Sequence, residues 1–595
     1  MINKFEQLIN THQSALAIET KRFDRLGLLK LIAVLAMIAA LVFLFTTQFA
    51  PITILATAII FAICVMLWFA HYKLDKKISY KKALCHIYNQ YIMRINGQWV
   101  NFPTTGENFA TPTHPYALDL DIVGNKSIFQ LINTTKTWYG TQALAQDLLN
   151  PKYTKDIILQ RQAAIAELGQ NLDFTTHLQL YLDNPQEITI QQDDLNIHKA
   201  IKTLACYLPI FTVPGLFMGF VFNLPPVAVV STILFGIQGI LWVVYGAKLR
   251  SYLALTHVYK LQKYAQAFQL IANTKFTAPK LQKIQAQVIE ATTAITQFEK
   301  IANMCTIISN PFIFIVANLF LLWDFYCAIL LARWRKSHGS QVTTALTAVG
   351  ELESLCAFGV LPHITSTLCM PQIVDQPIIK GNHLAHPLIL EAKRKGNPLD
   401  FNNQIFIISG SNMSGKTTFM RTIGVNLVLA KAGSYVCAQS LTCGLFNMFT
   451  SMRIADDLNQ GVSTFYAELK RVKEILTMAK TTPHMLFLID EIFKGTNSTD
   501  RIAGAKAVIG QLEKLGAIGM VTTHDLELCT ITSPKLANYS FREHYQEGKI
   551  YFNYQLEKGP AKTTNAKYLM QMVGITEKYD ILNGDTGGNN GKIIF

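Results

Sequence analysis

The chain has 595 residues, which is too long for a single hydrophobic core and predicts several domains. Half of its residues are apolar and only 15% are charged, a balance that argues against a wholly soluble protein and predicts membrane segments. The formal net charge of +14 suits a phosphate-rich partner, either nucleic acid or an anionic lipid surface, but the basic cytoplasmic loops of a membrane protein give the same excess.

Two apolar runs near the N-terminus, 31–50 and 52–70, each have about the 20 residues that a helix needs to cross a bilayer. Only a short turn ending at Pro51 separates them, so they predict a transmembrane hairpin. Basic residues flank both of its ends, which by the positive-inside rule places both ends in the cytoplasm. These residues are Lys21, Arg22, Arg25 and Lys30 before the hairpin and Lys73, Lys76, Lys77, Lys81 and Lys82 after it.

A second transmembrane hairpin is predicted from the apolar runs 204–223 and 225–246, which are also flanked by basic residues. A third apolar segment, 305–332, contains Asp324, and an acidic residue is costly inside a membrane. A single crossing there would put the ATP-binding motif described below outside the cytoplasm. We therefore expect a buried helix pair, an interfacial helix or a re-entrant segment.

The spacing of apolar residues predicts long helices over 118–168 and 252–300. From about Gly381, short β-branched strands alternate with helices, as in a parallel α/β sheet. We predict an N-terminal region with the first hairpin (1–110), a helical core interrupted by the second hairpin and the third apolar segment (111–378), an α/β domain (379–582) and a flexible tail (583–595).

The segment 410–417, Gly-Ser-Asn-Met-Ser-Gly-Lys-Thr, matches a phosphate-binding loop and lies between a predicted strand and a predicted helix. Its glycines let backbone N–H groups face phosphate oxygens at a helix N-terminus. Lys416 is predicted to bridge the β and γ phosphates of ATP, and the Thr417 hydroxyl to ligate Mg²⁺. The residues predicted to contact the nucleotide are Gly410, Ser411, Asn412, Met413, Ser414, Gly415, Lys416, Thr417 and Thr418.

A second motif follows the apolar strand predicted over 485–489, which ends in two acids. Polar residues at the carboxyl edge of a parallel sheet face the ligand. Asp490 is predicted to hold Mg²⁺ through water, and Glu491 to act as general base on the attacking water. His524 follows the next predicted strand, 518–523, and is predicted to contact the γ-phosphate, although a lone histidine at such a place is more often structural.

These motifs resemble those of the DNA mismatch-repair ATPase MutS and its relatives among the ABC-type ATPases. The resemblance implies an α/β P-loop ATPase domain joined to an all-α core, here with added transmembrane helical hairpins. Ser411, Ser414 and Phe493 depart from the family pattern, which has Pro, Gly and Gly there. The similar segments are 410–421 (family G-P-N-M-G-G-K-S-T-x-x-R), 433–438 (G-S-[FY]-V-P-A), 463–468 (S-T-F-x-x-E) and 490–496 (D-E-[IL]-G-R-G-T).

The resemblance further implies a homodimer joined through the ATPase domains, in which Ser463 of one subunit completes the nucleotide site of the other. Tyr554 stands where relatives carry an adenine-stacking ring. Weaker similarity covers about 115–200 and the rest of 340–580. The family's N-terminal mismatch-reading domain, which uses a Phe wedge on the DNA, has no counterpart in this sequence.

We therefore expect a membrane-anchored MutS-like ATPase, multi-pass in the cell (inner) membrane, with its ATPase domain in the cytoplasm. We expect it to bind ATP and Mg²⁺ and to lie in the lipid bilayer. DNA binding and mismatch repair are implied only by the resemblance to the family. An ATPase that acts on the membrane or on a membrane partner, with no DNA role, is the alternative. An ABC transporter is disfavoured, because the sequence has no L-S-G-G-Q signature and only two predicted hairpins.

Overall fold

The computed structural model describes most of the chain. The tail predicted to be flexible, 583–595, lies outside the described residues. The described ranges are 1–48, 50–151, 153–182, 186–188, 195, 197–255, 258–307, 311–453, 464–494, 496–546 and 549–561.

Helices account for nearly all regular structure before residue 365, and a mixture of strands and helices follows it. Within the described ranges the helices are α1 (Ile2–Thr46), α2 (Pro51–Ile95), α3 (Ile128–Ile132), α4 (Trp138–Leu149), α5 (Lys155–Gln170), α6 (Leu172–Tyr181), α7 (Lys199–Val221), α8 (Pro225–Leu255), α9 (Val258–Asn273), α10 (Pro279–Ile307), α11 (Pro311–Leu321), α12 (Trp323–Phe358), α13 (Leu361–Ile364), α14 (Lys416–Lys431), α15 (Thr464–Ala479) and α16 (Ser498–Lys514).

The first hairpin is formed by α1 and α2, which have 45 residues each. At the rise of an α-helix, each is about 68 Å long. The apolar runs 31–50 and 52–70 lie in the distal halves, where most side chains are exposed. The proximal halves pack on the helical core, where the His363 ring of α13 lies 6.4 Å from the Phe5 ring and 5.8 Å from the Tyr91 ring, centroid to centroid. The hairpin therefore extends well beyond the core and exposes an apolar tip.

The second hairpin is formed by α7 and α8 and also exposes apolar side chains. Pro209 and Pro214 lie inside α7, which is tolerated more readily in membrane helices than in water. At Gly219 the two helices approach closely, because an added Cβ would lie 2.7 Å from the Ala228 backbone. By length and composition, α1, α2, α7, α8 and α12 are long and apolar enough to cross a membrane.

Two stretches predicted as long helices are divided in the structure. The stretch 118–168 contains α3, α4 and part of α5, and 252–300 is shared between α8, α9 and α10. Local caps set these breaks: the Thr137 hydroxyl accepts a hydrogen bond from the Gly140 N–H at 3.0 Å, and Pro151 follows the end of α4. Such caps stop a helix even where the apolar spacing continues.

The third apolar segment, 305–332, forms the end of α10, the short helix α11 and the start of α12. The 11 residues of α11 are too few to cross a bilayer, which takes about 20. After Leu322, whose φ is 51°, the chain turns back and α12 runs antiparallel to α10. In the most apolar stretch of α12, 83% of the residues are buried, so these apolar side chains pack inside the protein. The segment therefore forms a short helix, α11, and the buried start of α12, with a turn at Leu322 between them.

The helix α12 continues for 36 residues into the helical core. It packs against α4 at Gly350, where an added Cβ would lie 2.6 Å from the Tyr139 backbone. Nearby, the buried Glu353 carboxylate accepts hydrogen bonds from the backbone N–H of Lys136 at 2.6 Å and of Thr137 at 3.2 Å. The core end of α12 is thus fixed to the residues that begin α4.

The C-terminal part contains two sheets. A four-stranded sheet has the order β1-β5-β2-β3, and a six-stranded sheet has the order β10-β9-β4-β8-β7-β6, with all strands parallel except the edge strand β10. The strands are β1 (Gln372–Ile373), β2 (Ile378–Leu384), β3 (Asn397–Asn402), β4 (Ile405–Ser409), β5 (Ser440–Cys443), β6 (Asn447–Ser451), β7 (Met485–Asp490), β8 (Ile518–Thr523), β9 (Leu536–Gln546) and β10 (Lys549–Lys558).

The helical core and the α/β part share one continuous hydrophobic core. A buried ion pair lies at the junction: Arg161 of α5 donates to the Asp147 carboxylate at 2.6 Å and to the Ala432 carbonyl at 2.7 Å. Truncating one partner of such a pair leaves an unpaired buried charge. The two parts therefore meet along a fixed interface.

Candidate nucleotide site

The phosphate-binding loop joins β4 to α14. All five residues of β4 are buried, and the chain turns through Gly410 and Gly415, whose φ values are 147° and 102°. An added Cβ at Gly410 would lie 2.6 Å from the Phe541 carbonyl oxygen, so the backbone requires glycine there. The loop ends at Lys416, the first residue of α14, whose N-terminus faces the loop.

The Lys416 side chain is buried in the loop. Its ammonium donates hydrogen bonds to the carbonyl oxygens of Gly410 at 2.6 Å and Ser411 at 2.8 Å, and lies 4.0 Å from the Glu491 carboxylate. Burial lowers the pKa of Lys416, while the carboxylates of Glu491 and Asp490 oppose that shift. The ammonium is therefore held where phosphate oxygens would replace the backbone carbonyls as its partners.

The other loop residues divide into buried and exposed side chains. Ser414 is buried and donates to the Ser411 carbonyl at 2.8 Å. The Ser411 hydroxyl oxygen is buried and has no hydrogen-bond partner among the described residues, which suits a loop shaped around an acceptor such as phosphate. The side chains at the mouth of the loop are exposed; they are Asn412, Met413 and Thr418.

The predicted magnesium ligands lie next to each other. The Thr417 hydroxyl is 3.0 and 2.9 Å from the two carboxylate oxygens of Asp490, at the end of β7. The Thr522 hydroxyl of β8 donates to the same carboxylate at 2.5 Å and orients it. Hydroxyl and carboxylate oxygens are the donors that Mg²⁺ prefers, so these residues fit the ion.

The predicted base, Glu491, follows Asp490 with a left-handed φ of 56°. Its carboxylate lies near two ammonium groups and an imidazole, because Lys416 is 4.0 Å, Lys494 3.6 Å and His524 Nδ1 3.7 Å from its oxygens. His524 is exposed at the end of β8, and the adjacent Asp525 is held by Arg501 at 2.9 Å. The structure thus brings the three predicted catalytic side chains, Glu491, His524 and Lys416, to one sheet edge.

Tyr554 of β10 lies beside the loop. An added Cβ at Gly415 would lie 3.0 Å from the Tyr554 ring, which is 43% exposed and so has a free face. Asn397 fixes the backbone around it, donating to the Tyr554 carbonyl at 2.9 Å and accepting from the Leu556 N–H at 2.8 Å. The position is close enough for the ring to contact a nucleotide base.

The signature residue Ser463 lies outside the described residues, but α15 begins directly after it. The buried Glu468 of α15 accepts hydrogen bonds from the backbone N–H of Phe493 at 2.9 Å and Lys494 at 3.4 Å. Burial raises the pKa of Glu468, and these backbone hydrogen bonds oppose the shift. Glu468 therefore ties the signature helix to the loop that follows Glu491, a role that the motif alone did not predict.

Phe493 adopts a φ of 62°, a conformation that glycine reaches without strain and that explains why the family pattern has Gly there. Its ring is buried and packs on Phe465 of α15, with centroids 5.8 Å apart. An added Cβ at Gly504 would meet the same ring at 2.7 Å. The substitution thus adds an aromatic contact between the signature helix and α16.

Two acidic residues of the helical core reach the ATPase part and were not predicted as functional. Asp121 pairs with Arg421 of α14 at 3.2 Å and with Arg453, which follows β6, at 2.6 Å. Asp119 accepts from the Thr450 hydroxyl at 2.6 Å and the Arg453 N–H at 2.9 Å. Pairs that are about 300 residues apart or more leave no signal in a single sequence.

Comparison with known proteins matches residues 406–579 to MutS domain V, the ATPase domain of MutS proteins. "DNA mismatch repair protein MutS" of Shouchella clausii is 34% identical over 210 residues, which are 34% of this chain and 24% of that protein. The proteins of the same name from Streptococcus equi and Thermus thermophilus are each 32% identical, over 40% and 31% of this chain and 28% and 22% of their own.

The chain thus spans about a quarter of the length of the curated relatives it matches. The matched residues include the phosphate-binding loop, β7 with Asp490 and Glu491, and β8. Over residues 406–579 the chain is therefore similar to the ATPase domain of MutS proteins.

Proposed function

We propose that the protein is a membrane-anchored MutS-type ATPase that hydrolyses ATP to ADP and phosphate at the site around Lys416. The observation that carries the proposal is the convergence of the phosphate loop, the Thr417–Asp490 pair and Glu491 at one sheet edge. This set contains a phosphate-binding cation, oxygen ligands for a metal and a base, as phosphoryl transfer to water requires.

Each side chain has a defined task in this proposal. Lys416 and the loop N–H groups bind and orient the β and γ phosphates. Glu491 accepts the proton of the attacking water, and His524, beside it, contacts the γ-phosphate. Thr417 and Asp490 would hold Mg²⁺, which when bound would neutralise part of the phosphate charge.

We propose further that hydrolysis takes place in a homodimer. The signature segment, 463–468, begins at Ser463 and continues into α15, and Glu468 joins that helix to the backbone after Glu491. When one subunit inserts its Ser463 into the nucleotide site of the other, Glu468 would therefore connect that Ser463 to the catalytic loop of its own subunit. ATP binding would close the dimer, and hydrolysis would open it.

Membrane anchoring rests on the two hairpins. The apolar halves of α1 and α2 and most of α7 and α8 expose large aliphatic and aromatic side chains. Contiguous exposed apolar surface on this scale is unfavourable in water and is typical of lipid-facing helices. With four spans and cytoplasmic ends, the ATPase domain lies in the cytoplasm and the protein is multi-pass in the inner membrane.

Nucleotide state can reach the hairpins through described contacts. Asp121 of the helical core holds Arg421, five residues after Lys416, and Arg453, at the start of the segment that leads to Ser463. From the core, α12 continues to the second hairpin. We propose that the dimer cycle moves the helical core. Through α12, this movement shifts α11 relative to α7 and α8.

The target of this movement has two candidate classes. The relatives are DNA mismatch repair proteins, which favours a DNA substrate and mismatch repair. The exposed apolar hairpins favour an ATPase that works on the bilayer or on a membrane partner, without DNA. Salt-dependent binding of the full chain in nanodiscs to duplex DNA, with a preference for a mismatch, would support repair. If the protein does not bind DNA even at low salt, the repair function is rejected and the function on the bilayer or a membrane partner is supported.

The ATPase proposal is tested with Glu491→Gln in the full chain in lipid nanodiscs. The variant should bind ATP as the wild type does and lose turnover by about 100-fold or more, as expected when a catalytic base is removed. Glu290→Gln, an exposed glutamate of α10, is the matched control and should keep the wild-type rate. Unchanged hydrolysis by Glu491→Gln would refute the assignment of the base.

A further inference from the structure

The short helix α11 packs against both α7 and α8. Its Phe314 ring is 6.1 Å from Trp242 and its Phe320 ring is 5.4 Å from Phe235 of α8, centroid to centroid. Because the residue numbers rise along α11 while those of their partners fall along α8, the two helices are antiparallel. The tip of α11 therefore reaches about the middle of α8, and α12 returns from there towards the core.

A chain of buried polar groups holds this tip. The Thr212 hydroxyl of α7 donates to the Gln238 side chain of α8 at 2.8 Å, and the Gln238 amide donates to the Leu319 carbonyl of α11 at 2.8 Å. Thr212 and Gln238 are both 0% exposed. These side chains satisfy one another across three helices, as polar residues do in membrane bundles.

Asp324, at the start of α12, is the exception. It is 0% exposed, and its own backbone N–H donates to the Asn318 side chain at 3.0 Å. Neither of its carboxylate oxygens has a partner with hydrogen-bond geometry in the part of the chain that the structure describes, and the Asn318 side chain is the one polar group there that lies close enough to act on the carboxylate directly. A buried ionised carboxylate without partners is strongly unfavourable, whereas the neutral acid is tolerated.

The charged and titratable groups around Asp324 that the structure describes are Arg250 of α8, Cys305 of α10 and Cys327 of α12 itself. Arg250 is exposed, and it donates to the Gly246 carbonyl at 3.2 Å. Among the described residues the Arg250 guanidinium forms no ion pair with the Asp324 carboxylate. Its charge acts on Asp324 only from a distance.

A metal ion is a poor occupant of this site. Among the described residues no group of three or more His, Cys, Asp or Glu side chains is arranged to hold one. A proton needs only the single carboxyl group that is present. An ionisable side chain without a fixed partner in a membrane helix bundle is typical of a proton-binding position.

We propose that Asp324 is a proton-binding site at the inner end of the second hairpin, and that its proton occupancy is coupled to the ATPase cycle through α12. The neutral acid lets the start of α12 pack against α8 and α10. The ionised form would draw water or the Arg250 guanidinium towards it and displace the turn at Leu322. Because α12 is continuous as far as Glu353, such a displacement reaches the core, and the coupling acts equally in both directions.

Proton binding is tested without nucleotide, by infrared spectroscopy of the full chain in lipid nanodiscs over a pH series. At neutral pH the wild type should show a carbonyl-stretch band of a neutral carboxylic acid that is missing from Asp324→Asn. The difference between the two spectra isolates this band from that of Glu353, whose pKa burial raises to about 7. Asp173→Asn, which changes a carboxylate that is 85% exposed, is the matched control and should keep it. Asp324→Glu should shift the band, which covers the case in which the Asn variant does not fold. Absence of the band from the wild type, or its persistence in both Asp324 variants, would overturn the site.

Coupling rests on the proposed ATPase function and is tested separately. The ratio of ATPase rates at mildly acidic and mildly alkaline pH should differ by about fivefold or more between the wild type and Asp324→Asn, within the usual range of coupling between two sites. Identical pH profiles in an active enzyme would overturn the coupling. An inactive wild type would refute the ATPase instead, and the infrared result would still decide whether Asp324 binds a proton.

Discussion

The nucleotide site and the bundle around α11 both bury polar side chains, but they satisfy them differently. In the nucleotide site, Asp490 has two hydroxyl partners and Glu491 lies among cations. In the bundle, Gln238 is satisfied but Asp324 is not. A network with all partners in place fixes a geometry, whereas an unpartnered buried acid is sensitive to its protonation. The difference separates a site built for positioning from one suited to switching.

The largest expected effect tests the positioning site. Thr417→Val removes the hydroxyl that contacts both Asp490 oxygens and is predicted to ligate Mg²⁺. We expect kcat to fall by about 100-fold, a typical cost for one electrostatic contact to a transition state. Steady-state ATPase assays over a Mg²⁺ series measure it. Thr477→Val on the exposed face of α15 is the control, and equal rates for the two variants would contradict the metal assignment.

A smaller effect is expected at the link between the two regions. Asp121→Asn weakens the ion pairs to Arg421 and Arg453, so the phosphate-loop helix and the residues after β6 lose a common anchor. We expect hydrolysis to fall by about tenfold, because small displacements of catalytic groups are costly. The measurement is turnover at saturating ATP. Asp375→Asn, which is highly exposed, should retain full activity; a similar loss there would point to a general charge effect.

The bundle itself is tested through Gln238→Leu. This change leaves the Thr212 hydroxyl and the Leu319 carbonyl without their partner. We expect the free energy of unfolding in nanodiscs to fall by about 1 kcal/mol, the usual scale for such bonds between membrane helices. Thermal unfolding measures it. Thr57→Leu in the first hairpin, where the hydroxyl bonds only to its own helix, should change the midpoint less. A larger shift of the unfolding midpoint for Thr57→Leu than for Gln238→Leu would show that the polar contacts between helices do not stabilise the second hairpin more than the first.

The smallest effect is expected at Tyr554. If its ring stacks on adenine, Tyr554→Leu should weaken ATP binding by about threefold, within the range of aromatic pairs, and Tyr554→Phe should bind as the wild type does. Titration with ATP measures both variants. The ring also covers Gly415, so the loop must remain intact in the leucine variant. Equal affinity of all three proteins would show that Tyr554 serves packing alone.

The residues of the candidate nucleotide site could be picked out from the sequence because they lie in short, continuous motifs, and their roles stay predictions. The strand before Gly410 and the strand over 518–523 were placed to within one residue, since buried parallel strands are continuous apolar runs. The two hairpins were predicted from apolar length alone. Helix breaks at Thr137 and Pro151 were missed, because apolar spacing carried more weight than local caps.

Contacts between distant segments could not be predicted. Nothing in one sequence pairs Asp121 with Arg453 or places Leu319 against Gln238, since these depend on how helices pack. For Asp324 the sequence indicated only that an acid was misplaced in an apolar segment. Its lack of a partner became visible with α10, α11 and α8 assembled around it.

The 36 residues of α12 form a rod about 54 Å long. Its core end is braced where Gly350 touches the Tyr139 backbone, so α12 can tilt more easily at the Leu322 end. A tilt of about 5° around Gly350 moves the Leu322 end, about 42 Å away, by roughly 4 Å. A small rotation beside the helical core is thereby converted into a displacement of several ångströms at Asp324.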